Sequence, residues 1–101
     1  MHVILWEFRA RQGRETEFEE AYGPAGTWAR FFERGEGYLG TELHRDLAGG
    51  RRYVTIDRWT SRDDFESFKR RFAEEYEAID LRCEALTEHE APLGSFLSVT
   101  G

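Results

Sequence analysis

Apolar positions in this chain change period several times, and each change marks an element. From His2 to Arg9 they alternate, with Ile4, Trp6 and Phe8 on one side and Val3 and Leu5 on the other. Both sides are largely apolar, which predicts a strand covered on both faces. Gln12-Gly13 turns the chain, and Phe18 and Tyr22, four residues apart, place a helix over 14–22. Gly23-Pro24 interrupts it. Pro24 is expected to open a second helical stretch at its first position, carrying Trp28, Phe31 and Phe32 and ended by Gly35 and Gly37.

Alternation returns at Tyr38 to Arg45. A regular pleat puts Tyr38, Gly40, Glu42 and His44 on one face, and Leu39, Thr41 and Leu43 on the other. Turn formers over 46–50 predict a hairpin into a third strand, Arg52 to Trp59, where Tyr53, Thr55, Asp57 and Trp59 oppose Val54, Ile56 and Arg58. Ser61-Arg62-Asp63-Asp64 has the form of a capping box and starts the longest predicted helix. Phe65, Phe68, Phe72, Tyr76 and Ile79 make one apolar stripe along it. Thr87-Glu88-His89-Glu90 reads as a second capping box opening a short helical turn. A short fourth strand is expected over 95–99, with Phe96 and Leu97 buried.

The order β-α-β-β-α-β specifies an α+β domain with a ferredoxin-like antiparallel sheet and both helices on one face. The other face still carries apolar residues on several strands. An uncovered apolar face calls for a partner, and symmetric pairing with a second copy through the sheet is the simplest arrangement.

Composition narrows the function classes. With 101 residues the chain is expected to be one domain, 1–101, and its 40% hydrophobic and 15% aromatic residues supply a core despite 34% charged residues. The net charge of −6 and the absence of a basic face argue against a nucleic-acid partner. No apolar run approaches the ~18–20 residues that cross a bilayer, so no membrane partner is expected. The first residues do not read as a signal peptide, which points to the cytoplasm. The single Cys83 excludes an internal disulfide and a cysteine metal cluster, and its acidic setting favours a packed thiol over a nucleophile. No metal-ligand spacing or phosphate-binding glycine loop is present.

Several stretches together resemble one family: Trp6-Glu7-Phe8, Gly13, Tyr22-Gly23-Pro24, Gly37-Tyr38-Leu39-Gly40-Thr41-Glu42-Leu43, and Tyr53 through Trp59-Thr60-Ser61. The pattern is similar to the antibiotic biosynthesis monooxygenase (ABM) domain, whose members are dimeric α+β barrels. The resemblance covers nearly the whole chain. It implies a ligand cleft between sheet and helices, lined by the Trp at the end of the third strand, matched here by Trp59. It also implies oxygenation of small aromatic or quinol-type substrates without a cofactor, haem degradation in another branch, or no known activity in many members. The haem-degrading branch has an Asn on the first strand where this chain has Trp6, and the sequence contains no Asn. His44 and His89 stand outside the second long helix, where that branch carries its axial His.

The candidate site residues follow. Trp6 and Trp59 would wall a cleft for a flat, apolar or aromatic ligand, against the alternative of core packing. Asp57 stands in an otherwise apolar strand, where burial would raise its pKa into the range of a general base; the alternative is a structural pair with an Arg such as Arg30. His44 shares a strand face with Glu42 and is a second candidate proton carrier, although residues two apart are in line rather than a tight couple. Tyr53 faces the cleft by alternation, Tyr76 and Phe72 reach it from the helix stripe, and Tyr22, Tyr38 and Tyr76 are candidate hydrogen-bond donors to a quinone or phenolate oxygen, against the alternative of core residues with rim hydroxyls. The competing reading makes the stripe core. The function readings are therefore a cofactor-independent monooxygenase with Asp57 or His44 as base, a non-catalytic dimer that binds a small ligand, and, third, a haem-binding protein, against which the missing Asn and axial His argue.

Overall fold

The computed structural model describes residues 1–99. Its strands are β1 (His2–Ala10), β2 (Tyr38–Arg45), β3 (Arg52–Trp59) and β4 (Thr87–Leu97), and its helices are α1 (Glu15–Tyr22), α2 (Thr27–Phe32), α3 (Arg62–Arg71) and α4 (Ala73–Cys83), with a 3₁₀ turn at Glu84–Leu86. The strands form one sheet in the order β2-β3-β1-β4, with every neighbouring pair antiparallel. This is the ferredoxin-like α+β arrangement.

Register decides what each face carries. His2, Ile4, Trp6 and Phe8 of β1 pair with Trp59, Asp57, Thr55 and Tyr53 of β3. These eight side chains share the helix-covered face. The core there is aromatic: Trp59, Tyr53 and Phe18 are the largest fully buried side chains, joined by Phe8, Tyr22, Trp28, Phe31, Phe32 and Phe68. Phe18 stacks on Tyr22 at 4.4 Å and contacts Tyr53 at 4.7 Å, which locks α1 to the sheet.

Several expectations are corrected. Pro24 lies in the turn before α2 rather than at its first position; α2 starts at Thr27. The long helix breaks at Phe72, whose backbone (φ −114°, ψ 32°) leaves the helical region and separates α3 from α4. The α3 cap does form, with Ser61 Oγ accepting the Asp64 N–H at 3.1 Å. Thr87-Glu88-His89-Glu90 is strand, because pairing with Phe8, Arg9 and Ala10 of β1 supplies partners that a cap would otherwise provide. β4 is thus 11 residues long and accommodates Pro92 because it lies at the sheet edge, where a missing N–H is tolerated. Phe96 and Leu97 are 51% and 78% exposed rather than buried.

The last correction concerns β2. Its register slips between Tyr38 and Gly40, so that Leu39 is an extra residue opposite β3. Gly40 adopts φ 144°, a conformation that suits glycine. The bulge moves Tyr38 onto the face of Thr41 and Leu43, packed on the core, and leaves Leu39 55% exposed.

Candidate active site

Between the sheet and the helices lies a cavity of about 240 Å³. The sheet supplies Trp6 and Phe8 from β1, Thr41 from β2, Thr55 and Asp57 from β3 and Glu90 from β4. The helices supply Tyr22, Trp28 and Phe32, Lys69 of α3, and Tyr76 and Asp80 of α4. Trp28 meets Tyr76 edge to face at 5.2 Å, and Phe8 meets Tyr22 at 4.7 Å, so the aromatic walls brace one another.

Asp57 is the polar centre. Thr41, directly opposite it in the β2–β3 ladder, donates its hydroxyl to Asp57 Oδ1 at 2.6 Å. The Tyr38 hydroxyl lies 2.6 Å from Thr41 Oγ1. Among the described residues no cation pairs with Asp57: Arg58 pairs with Glu42 on the other face, and Arg30 bonds the Ala25 carbonyl. Burial without a cation raises the Asp57 pKa from 3.8 to about 6, with the Thr41 bond opposing part of the rise. Burial also raises Tyr76 to about 12, helped by the charges of Asp57, Asp80 and Glu90, and pushes Tyr22 further up. Both stay protonated as hydrogen-bond donors. Glu90 is raised as well, by burial and then by Asp80 and Glu84.

Of the residues singled out from sequence, Trp6, Tyr22, Asp57 and Tyr76 meet at this cavity, and Tyr38 does not line it. Trp59 does not line it. It is fully buried against Tyr38, Phe32, Phe65 and Phe68, because the end of β3 lies under α3 rather than over the void. Tyr53 faces the same side of the sheet but is 1% exposed, with its hydroxyl donated to Glu19 Oε2 of α1 at 2.6 Å. Phe72 packs on Phe31 and Phe68 at the helix break and holds the Arg34 guanidinium 4.7 Å over its ring. His44 is on the opposite face. It is solvent-exposed and bonded to Glu42 Oε1 at 3.0 Å, a closer couple than their in-line spacing suggested, since both side chains lean together at the free surface. The sheet separates it from the cavity.

Thr41, Trp28, Phe32, Lys69, Asp80 and Glu90 were not singled out as site residues. Thr41 needs the strand register to appear, and Glu90 needs the full length of β4. Lys69 reads as surface charge in the sequence; here its ammonium lies 5.2 Å from the Tyr76 ring. Among the described residues no group of three or more His, Cys, Asp or Glu side chains could hold a metal ion, and no helix is long and apolar enough to cross a membrane.

An antiparallel α+β sheet thus encloses, with its helices, an aromatic-walled cavity that has the buried Asp57 carboxyl at its centre. Residues 1–79 match the model of the antibiotic biosynthesis monooxygenase family, and the chain belongs to that family. Solved structures share its fold. SnoaB of Streptomyces nogalater, described as a cofactor-independent oxygenase and solved in a mutant form, is 24% identical, with 99% of this chain and 94% of that one covered at a TM-score of 0.76. A protein of Bordetella bronchiseptica named for the same family is 23% identical over 97% and 96%, at 0.73. One from Deinococcus radiodurans, also named for the family, is 10% identical over 100% and 95%, at 0.77. No curated protein matches the chain.

Proposed function

We propose that the chain is a monooxygenase that oxidises a small aromatic, hydroxylated substrate in this cavity without a cofactor. The observation that carries the reading is Asp57: a buried carboxyl with no cation partner among the described residues, in contact with the void and with its pKa raised to about 6. Family membership supports it, as does the description of SnoaB as a cofactor-independent oxygenase.

In this mechanism the substrate stacks against Trp6 and Trp28, and Asp57 removes a proton from its hydroxyl or from a ring-activated CH₂. Moving a proton from a phenol of pKa ~10 to a base near 6 takes about 5 kcal/mol. That fits within the ~16 kcal/mol barrier of an enzyme turning over about ten times per second. Tyr22 and Tyr76, both neutral, are available to donate to the oxyanion that forms. The electron-rich anion passes one electron to dioxygen, and the resulting radical and superoxide combine at carbon. The peroxide loses water to leave a carbonyl. Overall CH₂ and O₂ become C=O and H₂O, with both substrate hydrogens in the water. The substrate is the reductant, and the protein contributes orientation, desolvation and a tuned base.

The functional unit in this reading is a homodimer formed through the outer face of the sheet. Val3, Leu5, Val54, Ile56 and Phe96 lie there, away from the helices, by their register. Such a surface is covered most simply by its own copy.

The deciding experiment is oxygen uptake with a panel of phenols and quinols, read beside quenching of tryptophan fluorescence by the same compounds. Wild type should consume oxygen, and Asp57→Asn should lose at least tenfold in rate while still quenching. Saturable quenching without uptake would overturn the enzyme reading in favour of the second one, a ligand-binding domain, which the aromatic cavity itself supports.

A further inference from the structure

We propose that Thr41 and Tyr38 are positioning residues for Asp57: they tie Oδ1 to the sheet in one orientation and leave Oδ2 for a ligand in the cavity. This rests on the reading of Asp57 as the site's base, and it accounts for a feature that a lone buried carboxyl would not need.

The geometry sets the direction of the chain of hydrogen bonds. Thr41 has one hydroxyl proton, and that proton is given to Asp57 Oδ1 at 2.6 Å. Tyr38 must then be the donor in its 2.6 Å contact with Thr41 Oγ1. A hydroxyl that accepts one bond while donating another is a better donor, so Tyr38 strengthens the bond that Thr41 makes. Oδ1 is thereby engaged. Among the described residues no side-chain donor is seen at Oδ2, and the carboxyl borders the cavity.

The backbone is shaped to make this chain possible. Cross-strand pairing puts Thr41 beside Asp57, but a regular β2 would point Tyr38 to the opposite face. The extra residue Leu39 and the positive φ of Gly40 turn Tyr38 back onto the Thr41 side. Tyr38 does not line the cavity; its ring packs at a tilt against Phe32 and Trp59 and stands near the exposed Glu33. Its hydroxyl therefore acts on Asp57 through Thr41 and not on a ligand. The other charged or titratable groups around the cavity are Lys69 of α3, Tyr76 and Asp80 of α4, Tyr22 of α1 and Glu90 of β4. None of them bonds Oδ1.

The test needs no substrate. The Asp57 carboxyl can be followed by carbon NMR on the intact chain, assigned by its loss in Asp57→Asn. The wild-type midpoint is expected near 6. Thr41→Val removes the donor to the charged form at nearly constant volume, and the midpoint should rise by about one unit. Tyr38→Phe should raise it by a smaller amount, and Thr41→Ser should restore it. If a panel substrate turns over, Tyr38→Phe should lower kcat severalfold with KM unchanged. Midpoints unmoved in both folded variants would overturn the proposal, and Tyr38→Phe alone decides it if Thr41→Val does not fold. Shifted midpoints in a chain that consumes no oxygen would uphold the positioning role and remove only the assignment of Asp57 as a catalytic base.

Discussion

Trp6 and Trp59 project from neighbouring antiparallel strands onto the same face of the sheet, yet only Trp6 borders the cavity. Trp6 pairs with Thr55 and Trp59 with His2, so the two are four rungs apart in the ladder, about 13 Å at about 3.3 Å per residue. That separation puts Trp59 under α3, among Phe65 and Phe68, and Trp6 beside the void. Truncating them should therefore fail differently. Trp59→Ala should lower stability by about 3–5 kcal/mol, the range for a fully buried large aromatic. Trp6→Ala should lower it by less, because Trp6 is only partly buried, and should weaken ligand quenching at least tenfold. Urea unfolding and fluorescence titration separate the two effects.

Asp57 should be a liability to the fold at neutral pH. Its pKa is about 6 in the folded chain against 3.8 as the ordinary value, so the folded state binds the extra proton between these limits. Stability then falls as pH rises from about 4 to 6 and levels off above. The shift corresponds to about 3 kcal/mol. Asp57→Asn keeps an acceptor for Thr41 and removes the charge. It should be more stable than wild type at pH 7.5 by about 1–3 kcal/mol, with the advantage shrinking towards pH 4. Equal stability at the two pH values would show that Asp57 is well solvated.

Element order and the aromatic stripe were legible in the sequence because alternation and helical spacing are local signals. Asp57 stood out because a carboxylate in an apolar strand is costly wherever that strand is covered. Trp59 was misplaced because alternation gives a face but not a position along it. Thr41 was assigned to the face opposite Tyr38 because one extra residue, Leu39, reverses the pleat, and a bulge has no period of its own. The first half of β4 was hidden for a similar reason. Thr87-Glu88-His89-Glu90 suits a helix cap locally, and only pairing with β1 overrides that preference.

The cavity should discriminate against anions. Asp57, Asp80 and Glu90 line it against one ammonium, that of Lys69. A ligand carboxylate placed there would meet mostly like charge in a partly desolvated site. A neutral phenol should bind at least tenfold more tightly than its carboxylated analogue at pH 7.5. Asp80→Asn combined with Glu90→Gln should reduce that ratio without weakening the neutral ligand. Titration of tryptophan fluorescence with the two compounds would show it, and equal affinities in wild type would mean that the acids turn outward to solvent.

The outer face of the sheet offers the most direct test of assembly. Leu5 and Ile56 are cross-strand partners at its centre, flanked by Val3, Val54 and, on β4, Phe96. None of these belongs to the buried core cluster. A charge placed there should be tolerated by the isolated fold, because the side chain projects away from the helices. In a sheet-to-sheet dimer the same charge would be buried against its own symmetry mate, since an isologous interface repeats every residue across the twofold. Two like charges without partners in that setting oppose association strongly. Ile56→Lys should therefore convert a dimer to a monomer at micromolar concentration while keeping the wild-type circular dichroism. Arg70→Glu, exposed on α3 and so on the helix side of the sheet, should leave the mass unchanged. Sedimentation equilibrium on the three proteins gives the answer: a wild-type chain that is already monomeric would remove the dimer, and an Ile56→Lys variant that stays dimeric would place the contact on another surface.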